Sequence, residues 1–134
     1  MTSSLQIGKV LYSAMSQDSS ISAKVGDKIY PIVAPSETFL PFVVYSRVNS
    51  YPVTNTKDGW LNDDVSFQVV AVSDNYFESV EIADAVRDVF ENTILTTSEL
   101  RIENIRMTSC TEAFNDDEYI QTINFDCECI PIES

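Results

Sequence analysis

The stretch VSFQVVAVSDNYFESVEIADAVRDVF, Val65–Phe90, decides the fold because its apolar period changes in mid-course. Up to Val72 the chain alternates. Val65, Phe67, Val69 and Ala71 share one face, and Ser66, Gln68, Val70 and Val72 share the other, which is the pattern of a strand with one side on a core. The second face turns apolar toward its end, so part of it is expected to be covered too. From Tyr76 onward the period is that of a helix. Ser73 or Asp74 can cap it. Val80, Ala83, Val86 and Phe90 form the predicted core stripe, flanked by Tyr76, Ile82 and Val89. Glu81, Asp84, Asp88 and Glu91 line the opposite side, an acidic stripe broken only near Arg87.

Upstream, PFVVYSRVNSYPV reads as the preceding strand, with Pro52 near its end. TNTKDGWLND between the two strands is turn-like, with Asp58-Gly59 as its tight-turn signal. Before it, three prolines (31, 35 and 41) restrict the backbone and remove donors. The residues ahead of them, Tyr30, Ala34 and Leu40, are pushed toward extended conformations. This makes an extended connector, entered through the brief extended piece DKIYPIV. SSLQIGKVLYSAMSQ reads as a helix capped by Ser3 or Ser4, with Ile7, Val10, Leu11 and Ala14 on one face. A short helical turn follows at DSSISAKVG and stops at Gly26.

Downstream, ELRIENIRMTSC is a predicted strand and EAFNDDEY a polar turn. YIQTINFDCECIPI is a final strand. Tyr119, Ile123, Phe125, Cys127 and Cys129 point one way; Thr122, Asn124, Asp126 and Glu128 point the other. Pro131 ends the ladder. The expectation is an α+β domain spanning residues 1–134, an antiparallel sheet with helices packed on one face, in the order α-β-β-β-α-β-β.

Composition narrows the function. Hydrophobic residues make up 44% of the 134, enough for one real core. No run approaches a membrane span, and the first ten residues lack the apolar centre of a secretory signal. A net charge of −13 disfavours tightly held nucleic acid, which needs basic patches. It suits DNA that must slide past without sticking, an inhibitor that mimics DNA, or plain solubility. Histidine is absent, which removes Ser-His and Cys-His nucleophile pairs. There is no Gly-rich phosphate loop. Cys110, Cys127 and Cys129 cannot complete a zinc site without histidine, so they read as buried free thiols. The clusters Asp63-Asp64 and Asp116-Asp117-Glu118 match no calcium-loop spacing and read as solvated turn charge. No catalytic residue, cofactor or metal is expected.

Three blocks in order carry a family resemblance. VGDKIYPIVAPSETFLPFVVYSRV (Val25–Val48) resembles a V-G-D-R-I-Y-P-like stretch, a connector, then L-P-[YF]-V-V-Y. The opening stretch resembles F-Q-V-x-V, a polar cap, a Tyr and an A-D-A-V-R helix. DDEYIQTINFDCECI is placed like a last strand. Together they resemble the tail completion, or tail terminator, proteins of long-tailed bacteriophages, over about Leu5 to Ile130. The bulky turn NTKDGWLNDD and the cysteines of the last strand depart from the pattern.

The resemblance implies a structural, non-enzymatic virion subunit at the junction of tail and neck, made in the host cytoplasm. It implies a homo-oligomeric ring, commonly a hexamer, that stops growth of the tail tube and joins it to neck or head completion proteins, with DNA only as passing cargo and no membrane partner. Two other classes stay open: an acidic DNA-mimic or other inhibitory binding protein, and a small carboxylate-metal enzyme. Trp60 and Leu61, costly to leave in water at a hairpin tip, are expected to touch another chain, as is the connector around Tyr30 and Pro35. Under the ring reading, carboxylates should face the channel. The candidates are Glu81, Asp84, Asp88 and Glu91 on the helix, and Asp126 and Glu128 on the last strand.

Overall fold

In the computed structural model, Ser3 caps a single 3-10 turn, Ser4–Gln6, by accepting from the Leu5 amide. The turn feeds α1 (Ile7–Ser16), which buries Ile7, Val10, Leu11 and Met15. Asp18 then accepts from the Ile21 amide at 3.0 Å and starts α2 (Ser19–Val25). Gly26 ends α2 at φ 64°, ψ −126°, a conformation open to glycine and costly for other residues. The rest comprises β1 (Ile29–Pro31), β2 (Phe42–Thr54), β3 (Leu61–Ser73), α3 (Tyr76–Phe90), β4 (Leu95–Thr96), β5 (Leu100–Asn115) and β6 (Glu118–Pro131). The structure describes residues 2–54 and 61–132, the side chains of residues 54 and 61 excepted. The expected Asp58-Gly59 turn lies outside the described residues.

The strands form one sheet in the order β1-β2-β3-β6-β5-β4. It is antiparallel except for the β1–β2 edge pair, which is parallel. The class is therefore α+β, as the sequence pattern predicts. The proline connector, residues 32–41, is what carries the chain back for the parallel pairing. The helices cover one face only. Beneath them lie Val65, Phe67, Val69 and Ala71 of β3 and Ile123, Phe125, Cys127 and Cys129 of β6, all buried. Phe67, Phe90 and Phe125 meet at the centre, with ring centroids 4.9–5.6 Å apart.

Three local expectations need correction. Asn75, not Ser73 or Asp74, caps α3, accepting from the Glu78 amide at 3.0 Å. Ser73 lies buried just outside the helix and accepts from the Asn75 amide. The buried stripe of α3 is also rotated. Ser79 and Ile82 face the sheet, whereas Val80 is 37% exposed. The small Ser79 side chain lets the helix start sit close to β6, where Gln121 donates to its hydroxyl. Finally, EAFN belongs to β5. The turn shrinks to Asp116-Asp117, at φ 51° and 63°, a left-handed pair that suits a two-residue hairpin.

Candidate functional site

The sheet face away from the helices carries part of the chain's acidic surplus, aligned by strand register. Period-two alternation along β3 and β6 puts every second side chain there, and the pairing registers align them into rows. Asn124 of β6 sits between Gln68 and Ser109, accepting from Gln68 at 3.0 Å and donating to Ser109 at 3.1 Å. One row further, Asp126 lies between Ser66 and Arg106, and the Ser66 hydroxyl donates to it at 2.7 Å. In the next row Glu128 is flanked by Asp64 on β3 and Glu103 on β5, with Tyr51 beyond Asp64 on β2.

That last row sets three carboxylates side by side across three strands, an arrangement that works against the sheet, since like charges directly opposite repel. Two neighbours moderate it. Asn104 donates to Glu128 at 2.7 Å, and Arg101 pairs with Glu103 at 2.9 Å. A shallow cup of about 470 Å³ opens over these rows, lined in part by Tyr51, Asp64, Asn104, Arg106, Asp126 and Glu128. Its described lining carries the carboxylates of Asp64, Asp126 and Glu128 against the Arg106 guanidinium, which leaves the cup net negative. Among the described residues, no group of three or more His, Cys, Asp or Glu side chains is placed to hold a metal ion.

The sequence-predicted residues separate in space. Asp126 and Glu128 stand on the open face. Glu81, Asp84 and Asp88 lie on the far side of α3, on the opposite side of the domain, so the two acidic sets cannot line one wall together. Glu81 pairs with Lys24 of α2 at 3.1 Å, and Asp84 and Asp88 are exposed. Glu91 leaves the stripe for a structural task. It accepts from the Arg87 guanidinium at 2.7 Å and from the Met107 amide on the outer edge of β5 at 3.1 Å. These two donors hold its carboxyl below the usual glutamate range, the Arg87 bond contributing most. Tyr30 is half-buried in β1 and Pro35 is exposed in the connector. Trp60 and the Leu61 side chain lie outside the described residues.

Asp64 and Glu103 are the residues that sequence reading passed over. The pair Asp63-Asp64 reads as turn charge, yet both residues belong to β3 and therefore point to opposite faces. Asp63 turns to the helix side, where the Ser4 hydroxyl donates to it, and Asp64 joins the acidic row. Counting back by two from Phe67 would have separated them. The thiols behave as expected for two of three. Burial pushes Cys127 up to about 12 and Cys129 up to about 11, so both stay protonated. Cys110 is exposed on β5 instead of buried.

Comparison with known proteins adds the following. A family model described as tail completion protein gp17 matches residues 9–130. A search of curated proteins gives no match. A chain in the solved virion of a native gene transfer agent particle superposes with TM-score 0.73, over 90% of this chain and 91% of its own, at 17% identity. A second solved chain superposes with TM-score 0.60, over 95% of this chain and 97% of its own, at 12% identity. Both likenesses concern the fold.

Proposed function

This chain belongs to the tail completion protein gp17 family, and on that premise we propose that it forms a closed ring of six copies on the end of a tail tube, stops tube growth there and joins the tail to the neck. As a member of that family it is a structural protein of a virion tail. The finer reading concerns assembly and orientation. Its partners are further copies of itself, the tail tube protein and a neck or head completion protein, and it does no chemistry on any of them. Rings close when each subunit offers a different surface to either neighbour and the rotation comes full circle.

In this ring the open sheet face looks into the channel. Asp64, Glu103, Asp126 and Glu128 then form an anionic wall that DNA, a dense polyanion, passes without sticking. The acids of α3 lie on the outer wall and serve solubility. The observation that carries the reading is the family match across nearly the whole chain, and the carboxylate row on a sheet face that no described element covers supports the orientation.

Native mass spectrometry of the isolated chain, with class averages of negatively stained tails, tests the ring; no ring in either state would refute it. Orientation is tested separately. Asp126→Lys with Glu128→Lys should leave ring assembly intact and slow DNA ejection, whereas Asp84→Lys with Asp88→Lys should leave ejection at the wild-type rate. The reverse result would turn the ring inside out.

A further inference from the structure

Two exposed apolar features sit on opposite edges of the sheet, and neither has a partner within the described chain. The first is the connector after β1. Ile32, Val33 and Phe39 are 78%, 71% and 84% exposed there. The loop is not slack. The Ile32 amide donates to the Tyr45 carbonyl at 2.8 Å, Thr38 closes a turn onto the Pro35 carbonyl, and Lys28 Nζ donates to the Phe39 carbonyl at 3.2 Å. Ile32 stands at φ 66°, a conformation a β-branched residue rarely adopts. The loop is thus held in a shape that presents its apolar side chains outward.

The second is a groove of about 240 Å³ between the first turn of α3 and the β5–β6 hairpin. Tyr76, Phe114 and Tyr119 wall it, with Tyr76–Tyr119 and Phe114–Tyr119 ring centroids 5.7 and 4.7 Å apart. Phe77, 74% exposed, stands at its rim against Tyr76. Glu112 takes hydrogen bonds from Tyr76 and Gln121 inside it. Asp116, Asp117 and Glu118 form the adjoining turn.

The register fixes how these features relate. Phe42, the residue after the connector, pairs with Val72, Val72 with Ile120, and Ile120 with Ala113 of the groove. Connector and groove therefore lie at the same end of the sheet, at the same height along the strands. Between the strands that carry them stand β3 and β6, so β2 and β5 are roughly 14 Å apart. The connector's own groove lies across that gap, and Ile32, Val33 and Phe39 stay exposed on the near side of it. A second copy, displaced sideways without moving along the strands, can bring its connector there. Charge at the anchor agrees with this: Lys28 Nζ sits on the Phe39 carbonyl, and the described lining of the groove and its turn carry carboxylates without a cation; the connector's own Glu37, two residues before Phe39, opposes it.

We propose that the Ile32–Phe39 connector of one copy seats in the Tyr76–Phe114–Tyr119 groove of the next, and that this is the head-to-tail contact of the ring. The inference rests on the ring reading and adds which surfaces meet. Equal height of the two surfaces favours closure over a rising spiral. Phe39 is the anchor, and its truncation to alanine should weaken the contact roughly 30-fold, the range of an interface hot spot.

The test uses the full chain with Cys110→Ser as background, in isolated rings or in assembled tails. Phe39→Cys combined with Phe77→Cys should give, on oxidation, a ladder of cross-linked species up to the closed ring, and each cysteine alone should give none. Phe39→Asp and Phe77→Asp should each abolish rings without changing the melting of the monomer, because both residues are exposed. Mixed together, they should form one-to-one dimers and nothing larger, since one sound connector then meets one sound groove. Rings that persist in Phe39→Asp, or fail to cross-link, overturn this contact and leave the ring reading standing. Wild-type chain that forms no ring, alone or on tails, overturns both.

Discussion

Replacing Glu128 by glutamine should make the isolated subunit more stable, although it removes a charge that has a hydrogen-bond partner. Glu128 stands between Asp64 and Glu103 in adjacent strands. Directly opposed Cβ atoms are about 5 Å apart, and carboxylates splayed into water from such positions are about 6 Å apart. At that distance two like charges cost about 0.7 kcal/mol in water before screening. Physiological salt, with a Debye length near 8 Å, leaves about half of it. Two such pairs cost at most about 0.7 kcal/mol screened, and about twice that at low salt, because the Arg101 guanidinium paired with Glu103 offsets part of the second. Glutamine keeps an acceptor for Asn104, now 2.7 Å from Glu128, and gives up the charge assistance, a loss of about 0.5 kcal/mol. The net expectation is a gain of up to about 1 kcal/mol at low ionic strength that disappears near 1 M salt. Urea denaturation of dilute monomer at about 0.01 M and about 1 M salt reads both values. A variant less stable than wild type at low salt, or a gain that salt does not erode, would refute the claim that the row is held against mutual repulsion.

Three further outcomes follow from named contacts. Phe125→Ala removes the ring that stacks on Phe67 at 4.9 Å and meets Phe90 edge-on, and should cost about 3–5 kcal/mol in the same denaturation assay. Glu91, whose folded carboxyl lies below its ordinary 4.5, contributes stability that is complete above the unfolded value and lost as pH falls through the lower folded one. Glu91→Gln should therefore be less stable than wild type at neutral pH and show a shallower acid loss, measured as melting temperature against pH. Of the three cysteines, only exposed Cys110 should react with a thiol reagent in the folded chain, and all three after unfolding; fast reaction of Cys127 would mean that the core over β6 opens.

The elements legible in the sequence are those where local pattern and tertiary packing agree. The period-two runs predict Val65, Phe67, Val69 and Ala71 of β3 and Ile123, Phe125, Cys127 and Cys129 of β6 as buried, while missing buried Gln121, and Gly26 stops α2 where expected because capping chemistry is local. The rotation of α3 was not legible, because valine at 80 outranks serine at 79 on any hydrophobic scale. Only the close approach to Gln121 explains why the smaller residue faces inward. The extent of β5 was hidden in the same way. EAFNDD is polar enough for a loop, and pairing with β6 is what holds it extended. Asp126 and Glu128 could be assigned to a shared face from alternation alone. The row that gives Glu128 its meaning depends on register between three strands, which no single segment encodes.

The acidic surplus is divided between two sides of the domain, and the two sides differ in what their carboxylates cost. On α3, Asp84 and Asp88 project into water, where screening makes like charge cheap. On the open face, Asp64, Glu128 and Glu103 are held in one row by backbone pairing, so the repulsion left after they splay into water falls on the sheet. Solubility alone is already served by the cheaper set. A row that lowers the stability of its own strands calls for a task that solvated helix charge does not perform. Presenting a fixed anionic wall to another polyanion is such a task, because its effect depends on charges held in place. On the proposed ring this argument turns the sheet inward and α3 outward. It also leaves the two sheet edges, with connector and groove at one height, as the surfaces through which neighbours meet.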